Sequence, residues 1–326
     1  MYIEQYFKFI QDNPNKVNEK IKTIYAKLVN DIKKPQEVTI YNPVTEEDET
    51  HKFVFDEKLG QRPIQFIELF CKHSKGKWAG KPVELELWQK AFIEALFGFV
   101  DEDTKLRKYK KGVLFVGRKN GKSTLASGLG IYMLTKDNED GAEVYAVATK
   151  KDQAKIVWEE SKRMIHKSPE LNELCKCRIN GIYYEETESV FKALASDSDS
   201  MDGLNTHCAL CDEIHAWKDK NLMDVMFDSM SAREQPLLIE FSTMGKVREN
   251  VFDNEYEYCS NVIDQKIKDE TILPIIYELD NVDEWQNEVA WYKANPRTRH
   301  NKKYKRHTRQ STKSIEQPNR VKQPTL

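Results

Sequence analysis

The sequence predicts an α/β fold with a largely parallel central sheet that is flanked by helices. Five short apolar runs support this prediction, because they lack the alternation of polar and apolar residues that is typical of a strand with one solvated face. Helical patterns separate these runs, as expected when helices connect parallel strands across a sheet. The runs are "GVLFVG", "AEVYAVAT", "THCALCDE", "PLLIEFSTM" and "TILPIIYEL".

Length and composition limit the class of protein. The chain has 326 residues, enough for one large core or two modest ones. No run approaches the roughly 18 consecutive apolar residues of a membrane-spanning helix, and the first residues lack the layout of a secretory signal. Six cysteines are too few for a disulfide framework, so we expect reduced thiols and a cytoplasmic protein. Neither "CKC" nor its surroundings has the spacing of a zinc site.

The stretch "LFVGRKNGKSTL" is a candidate phosphate-binding loop between a strand and a helix. Such a loop needs inward-facing backbone N–H groups, a glycine that permits the curvature, a lysine for the terminal phosphates and a hydroxyl for Mg²⁺. Gly117, Gly121, Lys122 and Ser123 supply these parts, although the first glycine stands one position later than in the standard pattern. The flanking strand and helix favour a phosphate site over an ordinary turn.

Two other strand ends carry polar side chains that suit hydrolysis. "HCALCDE" ends in Asp212 and Glu213, and adjacent acids at the end of an apolar run are costly unless they meet a cation or water. With a phosphate loop upstream, we expect Asp212 to orient Mg²⁺ and Glu213 to polarise water, whereas in isolation a turn or helix cap would be the better interpretation. Thr243 lies near the end of another run, "PLLIEFSTM". There it either senses the γ-phosphate or belongs to an ordinary exit from the strand into a loop.

Four stretches, taken in order, resemble a known family. They are "FIELFCKHSKGKWAGKPVELELWQ", "VGRKNGKST", "AVATKKDQAKIVWEES" and "SDSMDGLNTHCALCDEIHAW". Together they are similar to the ATPase part of the large terminase subunit of tailed phages, a DNA-packaging motor, over roughly Phe66–Pro296. The family shares the displaced glycine of the phosphate loop. The resemblance implies a P-loop NTPase fold with an extra strand between the Walker A (phosphate-loop) and Walker B (acidic) strands, and "AEVYAVAT" is the candidate for it.

The resemblance also implies roles for individual residues. Gln89 is similar to the family's adenine-contacting glutamine, and Arg118 resembles a loop arginine that stabilises charge on the transferred phosphoryl group, unless it is simply solvated. A catalytic arginine from a neighbouring subunit is a family feature for which Arg233 is a candidate. Catalytic roles are expected for Glu213, Lys122 and Arg118, and Mg²⁺ ligands are expected from Ser123 and Asp212. The expected nucleotide-binding residues are Gln89, Gly117, Arg118, Lys119, Asn120, Gly121, Lys122, Ser123, Thr124 and Thr243.

The implied function is an ATP-hydrolysing, Mg²⁺-dependent motor that moves double-stranded DNA into a prohead. Its implied partners are the portal protein, the small terminase subunit and other copies of the chain in a ring, within the bacterial host cytoplasm. The basic cluster Lys105–Gly112, "KLRKYKKG", is a candidate contact for the DNA backbone, against the alternative of a solvated charged face. His215, which follows the acidic pair, receives no role.

The predicted domain organisation has four parts. Residues 1–60 are a helical lead-in appended to the core, residues 61–280 the P-loop ATPase domain, residues 281–296 the start of a linker to a nuclease domain that is absent, and residues 297–326 a disordered basic tail. The tail carries ten Lys or Arg against Glu316 alone, a charge of about +9. We expect no nuclease activity from this chain.

Several alternatives stay open. The tail is either a genuine DNA-binding arm or the product of a truncation or altered reading frame, and the abrupt change in composition favours the second. The chain as a whole is either an active motor ATPase or a non-catalytic fragment that binds DNA or assembly partners. A P-loop enzyme that phosphorylates a small substrate is a further possibility, against which the adjacent acids argue for water as the acceptor.

Overall fold

The computed structural model describes residues 1–42, 46–195, 203–218, 220–243 and 250–297. Met1–Pro296 form one compact unit, and Arg297–Leu326 are a second unit. The helices of the first unit are α1 (Tyr2–Asp12), α2 (Glu19–Lys33), α3 (Glu57–Phe70), α4 (Leu87–Gly98), α5 (Lys122–Thr135), α6 (Lys151–Lys167), α7 (Pro169–Leu174), α8 (Asn221–Ser229), α9 (Val251–Ile263) and α10 (Trp291–Ala294). Its strands are β1 (Gln36–Asn42), β2 (Glu47–Phe55), β3 (Phe99–Asp101), β4 (Lys111–Phe115), β5 (Glu143–Ala148), β6 (Cys175–Cys177), β7 (Ile182–Tyr184), β8 (Ser189–Ala195), β9 (Thr206–Asp212), β10 (Leu237–Ser242) and β11 (Ile272–Ile276).

The described strands form one large sheet and one small sheet. The large sheet has eight strands in the order β11-β4-β10-β9-β5-β8-β7-β6, and the small one has the order β1-β2-β3. From β11 to β8 every neighbouring pair is parallel, whereas β8, β7 and β6 pair antiparallel. The predicted α/β fold is therefore confirmed, and each of the five apolar runs contains one of the parallel strands.

The run "AEVYAVAT" lies between β4 and β9 along the chain as predicted, whereas the strand that lies between them in the sheet is β10. β10 pairs with β4 on one side and with β9 on the other. The run "AEVYAVAT" forms β5, which lies on the far side of β9. Both runs are apolar and both strands are almost wholly buried, so the sequence alone does not say which one lies between β4 and β9 in the sheet.

Parallel pairing brings three strand ends to one edge of the sheet. In the register, Ser242 of β10 is opposite Phe115 of β4, and Phe241 is opposite Asp212 of β9. The segments that follow these strands therefore emerge side by side. This carboxyl edge is where open α/β sheets bind their ligands.

Two apolar clusters cover the two faces of the sheet. Alternate strand residues point to opposite faces, so Leu114 and Ile239 belong to one cluster while Val113 and Leu238 belong to the other. The first cluster includes α4 and α5, and the second includes residues of α8 and α9.

The helices α1 and α2 are part of this core, contrary to the expectation that the N-terminal segment is appended to it. Ile3 and Tyr25 are fully buried and belong to the same cluster as Leu114. The Asn18 side chain donates to the Ile276 carbonyl of β11 over 2.9 Å. Helical spacing predicts an apolar stripe on α1 and α2, but it does not reveal what covers that stripe. The segment is also not wholly helical, because it contains β1 and β2.

The six cysteines are free thiols, and only Cys177 is partly exposed. No helix in the described part of the chain is long and apolar enough to cross a membrane.

Candidate functional site

The loop between β4 and α5 has the backbone of an anion cradle. Gly121 precedes the helix with φ of +86°, and Lys119 has φ of +68°. The φ of Gly121 lies in the left-handed region, which glycine adopts at no steric cost and other residues adopt only rarely. The first N–H groups of an α-helix have no partner within the helix, and the helix dipole favours negative charge there. The N-terminus of α5 therefore suits a phosphate group.

The displaced glycine of the loop has a packing explanation. The N–H of Gly117 donates to the Ala294 carbonyl over 3.1 Å, and a Cβ at this position would lie 2.1 Å from Oδ1 of Asn295. Asn120 completes the contact, because its Nδ2 donates to Asn295 Oδ1 over 3.0 Å and to the Gly117 carbonyl over 2.9 Å. Residues 294–295, expected to begin a linker, thus pack directly on the loop.

Lys122 is buried at the start of α5. In the described part of the chain its ammonium has one hydrogen bond, a long one of 3.4 Å to the Val116 carbonyl. Burial lowers the pKa of Lys122, and the charges of Glu213 and Asp212 oppose that shift. A buried cation with so weak a neutral partner is well suited to an anionic ligand.

The acidic pair lies at the end of β9, beside the loop. Burial raises the pKa of Asp212 to about 6, and the neighbouring charge of Glu213 adds to the shift while Lys122 opposes it. The N–H of Glu213 donates to Asp212 Oδ1 over 2.9 Å. Glu213 itself has φ of +53°, a left-handed conformation that is costly for a residue other than glycine and that is concentrated at functional sites.

His215 connects the acidic pair to the end of β10, a link that the sequence did not reveal. Its Nε2 lies 3.2 Å from Oε2 of Glu213, and its Nδ1 lies 3.0 Å from Oγ of Ser242. The backbone N–H of His215 also donates to Ser242 Oγ over 3.2 Å. Ser242 Oγ is 3.0 Å from the carbonyl of Thr243, so the network reaches the first residue beyond β10. The only sequence signal was the short interval between the acidic pair and the histidine.

Gln89 approaches the loop, but both ends of its amide are engaged within the chain. Its Oε1 accepts from the N–H of Glu86 over 3.0 Å, and its Nε2 donates to the Asn120 carbonyl over 3.4 Å. The first bond belongs to a capping box at the start of α4. An adenine contact would have to replace one of these bonds.

The remaining expected residues surround the loop. Arg118 and Lys119 are exposed, whereas Thr243 is buried at the end of β10. Ser123 and Thr124, on the first turn of α5, line a cavity of about 330 Å³ together with Ser74 and Arg163. The expected site residues therefore gather at one sheet edge.

Two other candidates from the sequence occupy different places. Arg233 donates to Glu139 over 2.7 Å and to the Gly141 carbonyl over 2.6 Å, next to the beginning of β5. Arg233 therefore forms an ion pair within its own chain, at the sheet edge opposite the phosphate loop. This argues against a role in the site of a neighbouring subunit.

The basic cluster Lys105–Gly112 is not a solvated face or an open DNA surface, because most of its side chains are buried. Arg107 forms an ion pair with Asp137 at 2.7 Å, and Lys108 pairs with Glu270 at 2.7 Å. The prediction of a DNA contact here is therefore wrong for the side chains that dominate the cluster. Linear charge patterns do not distinguish a surface cation from one that has a buried partner.

Comparisons with known proteins agree with this geometry. The family "Terminase large subunit, ATPase domain" matches residues 87–261. The large terminase subunit of Enterobacteria phage HK97 is 28% identical over 244 residues, which cover 73% of this chain and 46% of that protein. The large terminase subunit of Lactococcus phage p2 is 21% identical over 222 residues, covering 66% of this chain and 41% of that one.

A solved structure shows the same relationship. The crystal structure of the HK97 large terminase superposes with a TM-score of 0.67 at 25% identity, over 79% of this chain and 52% of that one. The chain thus spans about half the length of the relatives it matches. The family match covers more than half of this chain and contains the phosphate loop and the acidic pair. We conclude that the chain belongs to the family of the terminase large subunit ATPase domain.

Proposed function

We propose that the chain hydrolyses ATP with Mg²⁺ and acts as the motor subunit that moves double-stranded DNA during phage packaging. The observation that carries this proposal is the meeting of the phosphate loop, the acidic pair and the end of β10 at one edge of the sheet. Family membership supports ATP as the substrate. The names of the relatives support a role as the large subunit of a phage terminase. We infer from that role DNA packaging in the host cytoplasm, with portal protein, small terminase subunit and a ring of copies as partners.

The roles of individual residues follow from their chemistry. The N–H groups of the loop and the Lys122 ammonium bind the phosphates, with Arg118 positioned to stabilise charge on the transferred group. Glu213 accepts hydrogen bonds from the attacking water and orients it. Thr243 follows β10 and reports loss of the γ-phosphate to the loop beyond it. The other predicted nucleotide contacts are Gln89, Gly117, Lys119, Asn120, Gly121 and Thr124.

The residues present fit a magnesium ion. Mg²⁺ prefers oxygen ligands and usually takes one or two from a protein, with waters and phosphate oxygens for the rest. The Ser123 hydroxyl and the Asp212 carboxylate provide such a set, and because Asp212 is buried, a bound cation would offset the desolvation of its charge. When bound, the ion would neutralise charge that develops on the phosphates.

The test is release of inorganic phosphate from ATP and Mg²⁺, with and without double-stranded DNA. We expect Lys122→Ala and Glu213→Gln to abolish turnover. Glu213→Gln should still bind ATP, because the substitution removes the carboxylate that orients water and leaves the phosphate loop intact. Free phosphate as the product distinguishes hydrolysis from transfer to a small substrate.

Matched controls separate chemistry from folding. Lys33→Ala and Glu4→Gln change the same residue types at exposed positions of α2 and α1, and they should keep the parent rate. A folded parent chain that binds ATP but releases no phosphate under any of these conditions would refute the ATPase proposal. Parent-like turnover in Glu213→Gln would refute the role of that residue.

A further inference from the structure

We propose that the hairpin Cys71–Val83, which we call the 71–83 hairpin, is a contact surface for the phosphate backbone of double-stranded DNA. This inference rests on the proposed function, because it specifies where the DNA partner is held. The hairpin takes the place of the basic cluster Lys105–Gly112 as the candidate DNA contact, because the charges of that cluster are mostly paired inside the protein.

The 71–83 hairpin is held by its own backbone. The N–H of His73 donates to the Lys81 carbonyl over 2.9 Å, and the N–H of Gly80 donates back to the His73 carbonyl over 2.8 Å. The N–H of Val83 donates to the Cys71 carbonyl over 2.9 Å. At the base of the hairpin, the Ser74 hydroxyl donates to Glu160 of α6. A surface that is already ordered loses little conformational entropy when it binds a partner.

The tip of the hairpin presents cations around an aromatic ring. Residues 75–82 are all exposed. The Lys77 and Lys81 ammonium groups each lie 5.0 Å from the centroid of the Trp78 ring. Cation–π attraction of this kind holds the two charges near each other without neutralising them. The tip therefore keeps its positive charge available for a partner.

No acidic residue occurs in "CKHSKGKWAGKPV", the sequence of the hairpin. Lys75, Lys77 and Lys81 form no ion pair with a carboxylate among the residues that the structure describes. This differs from Lys108 and Lys111, which are buried against Glu270 and Glu240. Cations that are exposed and unopposed are the ones that can release counterions from a polyanion.

A DNA backbone matches this arrangement better than an acidic peptide does. Double-stranded DNA presents one phosphate for about every 1.7 Å of its axis, so neighbouring lysines on a rigid tip can each meet a phosphate without reading sequence. A motor that moves along DNA needs contacts of this sequence-independent kind. The hairpin is also next to the phosphate loop, since Ser74 and Lys75 line the same cavity as Ser123 and Thr124.

The experiment measures binding of the full chain to a fluorescent duplex of mixed sequence over a series of salt concentrations. We expect the triple variant Lys75→Gln, Lys77→Gln and Lys81→Gln to bind more weakly at low salt. The slope of log K against log salt should become shallower by roughly 2 to 3, since each phosphate contact contributes about 0.9. The triple variant in which the same lysines become arginine should keep the parent slope, because it keeps the charge.

A matched control is the triple variant Lys8→Gln, Lys33→Gln and Lys34→Gln, which removes three exposed lysines from the region of α1 and α2. It should keep the parent slope. If the hairpin variant also keeps the parent slope, the inference is wrong while the proposed function stands. If the variant instead raises the KM for ATP at an unchanged slope, the hairpin serves the nucleotide, which also overturns the inference. No duplex binding by the parent chain would refute the DNA partner itself.

Discussion

Glu213 is held by neighbours that the sequence does not place beside it. Its carboxylate is 3.2 Å from Nε2 of His215, whose other ring nitrogen is 3.0 Å from the Ser242 hydroxyl. A carboxylate can only accept a hydrogen bond, so Nε2 carries the proton that it donates to Glu213. The Asn250 side chain donates to the His215 carbonyl over 3.0 Å and fixes the backbone. We therefore infer that His215 positions the carboxylate of Glu213.

Removal of this imidazole should reduce turnover through kcat. We expect His215→Ala to lower the kcat of ATP hydrolysis by about tenfold to a hundredfold, since a small displacement of a catalytic group costs that much. KM for ATP should change little, because the phosphate loop is untouched. Steady-state phosphate release provides both constants.

Two conservative variants distinguish positioning from simple packing. The amide nitrogen of Gln reaches the place of Nε2, so His215→Gln should recover part of kcat. The shorter Asn reaches only the place of Nδ1, so His215→Asn should not. Equal recovery by both, or a parent-like kcat in His215→Ala, would contradict the positioning role.

The strand β4 depends on a buried charge cluster at its first residue. Lys111 lies 2.6 Å from Glu240 of β10 and 2.6 Å from Glu255 of α9. Glu240 is fully buried, and burial raises its pKa to about 7, while the Lys111 charge acts in the opposite direction. The ion pair thus joins the phosphate-loop strand to its neighbours at the cost of two desolvated carboxylates.

Loss of the cation from this cluster should be strongly destabilising. Lys111→Met leaves two buried carboxylates without a counterion, so we expect the free energy of unfolding to fall by about 3 to 5 kcal/mol. Urea unfolding followed by circular dichroism measures the change.

A second substitution tests the electrostatic cause of that loss. Adding Glu240→Gln to Lys111→Met removes one of the two unpaired charges and should recover part of the stability. If the double variant is no more stable than Lys111→Met, the loss comes from packing of the lysine chain and not from the buried charges.

The N-terminal helices are attached to the sheet by charged contacts as well as by apolar packing. Glu270, just before β11, pairs with Lys108 at 2.7 Å and with Lys27 of α2 at 2.9 Å. Burial alone would raise the pKa of Glu270, but its hydrogen bonds to Lys108 and Lys27 outweigh burial and lower it to about 2. A carboxyl with a lowered pKa stabilises the folded state above its unfolded pKa, and this contribution is lost as the pH falls towards the folded value.

The Glu270 contact should therefore have a pH-dependent effect on stability. We expect Glu270→Gln to unfold at lower urea than the parent chain above about pH 5, and the difference should shrink as the pH falls from about 5 towards 2. Urea titrations at several pH values measure it, with the exposed Glu4→Gln as control. If the difference in stability stays constant over this pH range, Glu270 stabilises the fold through the packing of its side chain and not through its charge.

Several predictions about the chain are still only predictions. The domain boundaries at residues 60 and 280 and the absence of nuclease activity are among them. The two origins considered for the tail, a DNA-binding arm or a truncation, concern residues that lie almost wholly outside the described ranges. The loop that follows Thr243, which is proposed to respond to loss of the γ-phosphate, consists of residues 244–249 and also lies outside the described ranges.

The sequence by itself determined the fold class, five of the six parallel strands in the described part of the chain, and the candidate residues of the site. These features are local, because an apolar run, a glycine at a sharp turn and a lysine at a helix start each carry their signal within a few residues. The family resemblance rests on short sequence stretches of the same local kind, and the family match over residues 87–261 confirmed it.

Only the tertiary structure decided which distant residues meet. It placed β10 between β4 and β9, paired Lys108 and Lys111 with buried carboxylates, and connected Glu213 through His215 to Ser242. The physical reason is that strand order and ion pairing depend on which surfaces are covered together in the folded chain. Composition and periodicity identify an apolar face or a charged side chain, but the partner that buries it is chosen by the three-dimensional packing of the whole unit.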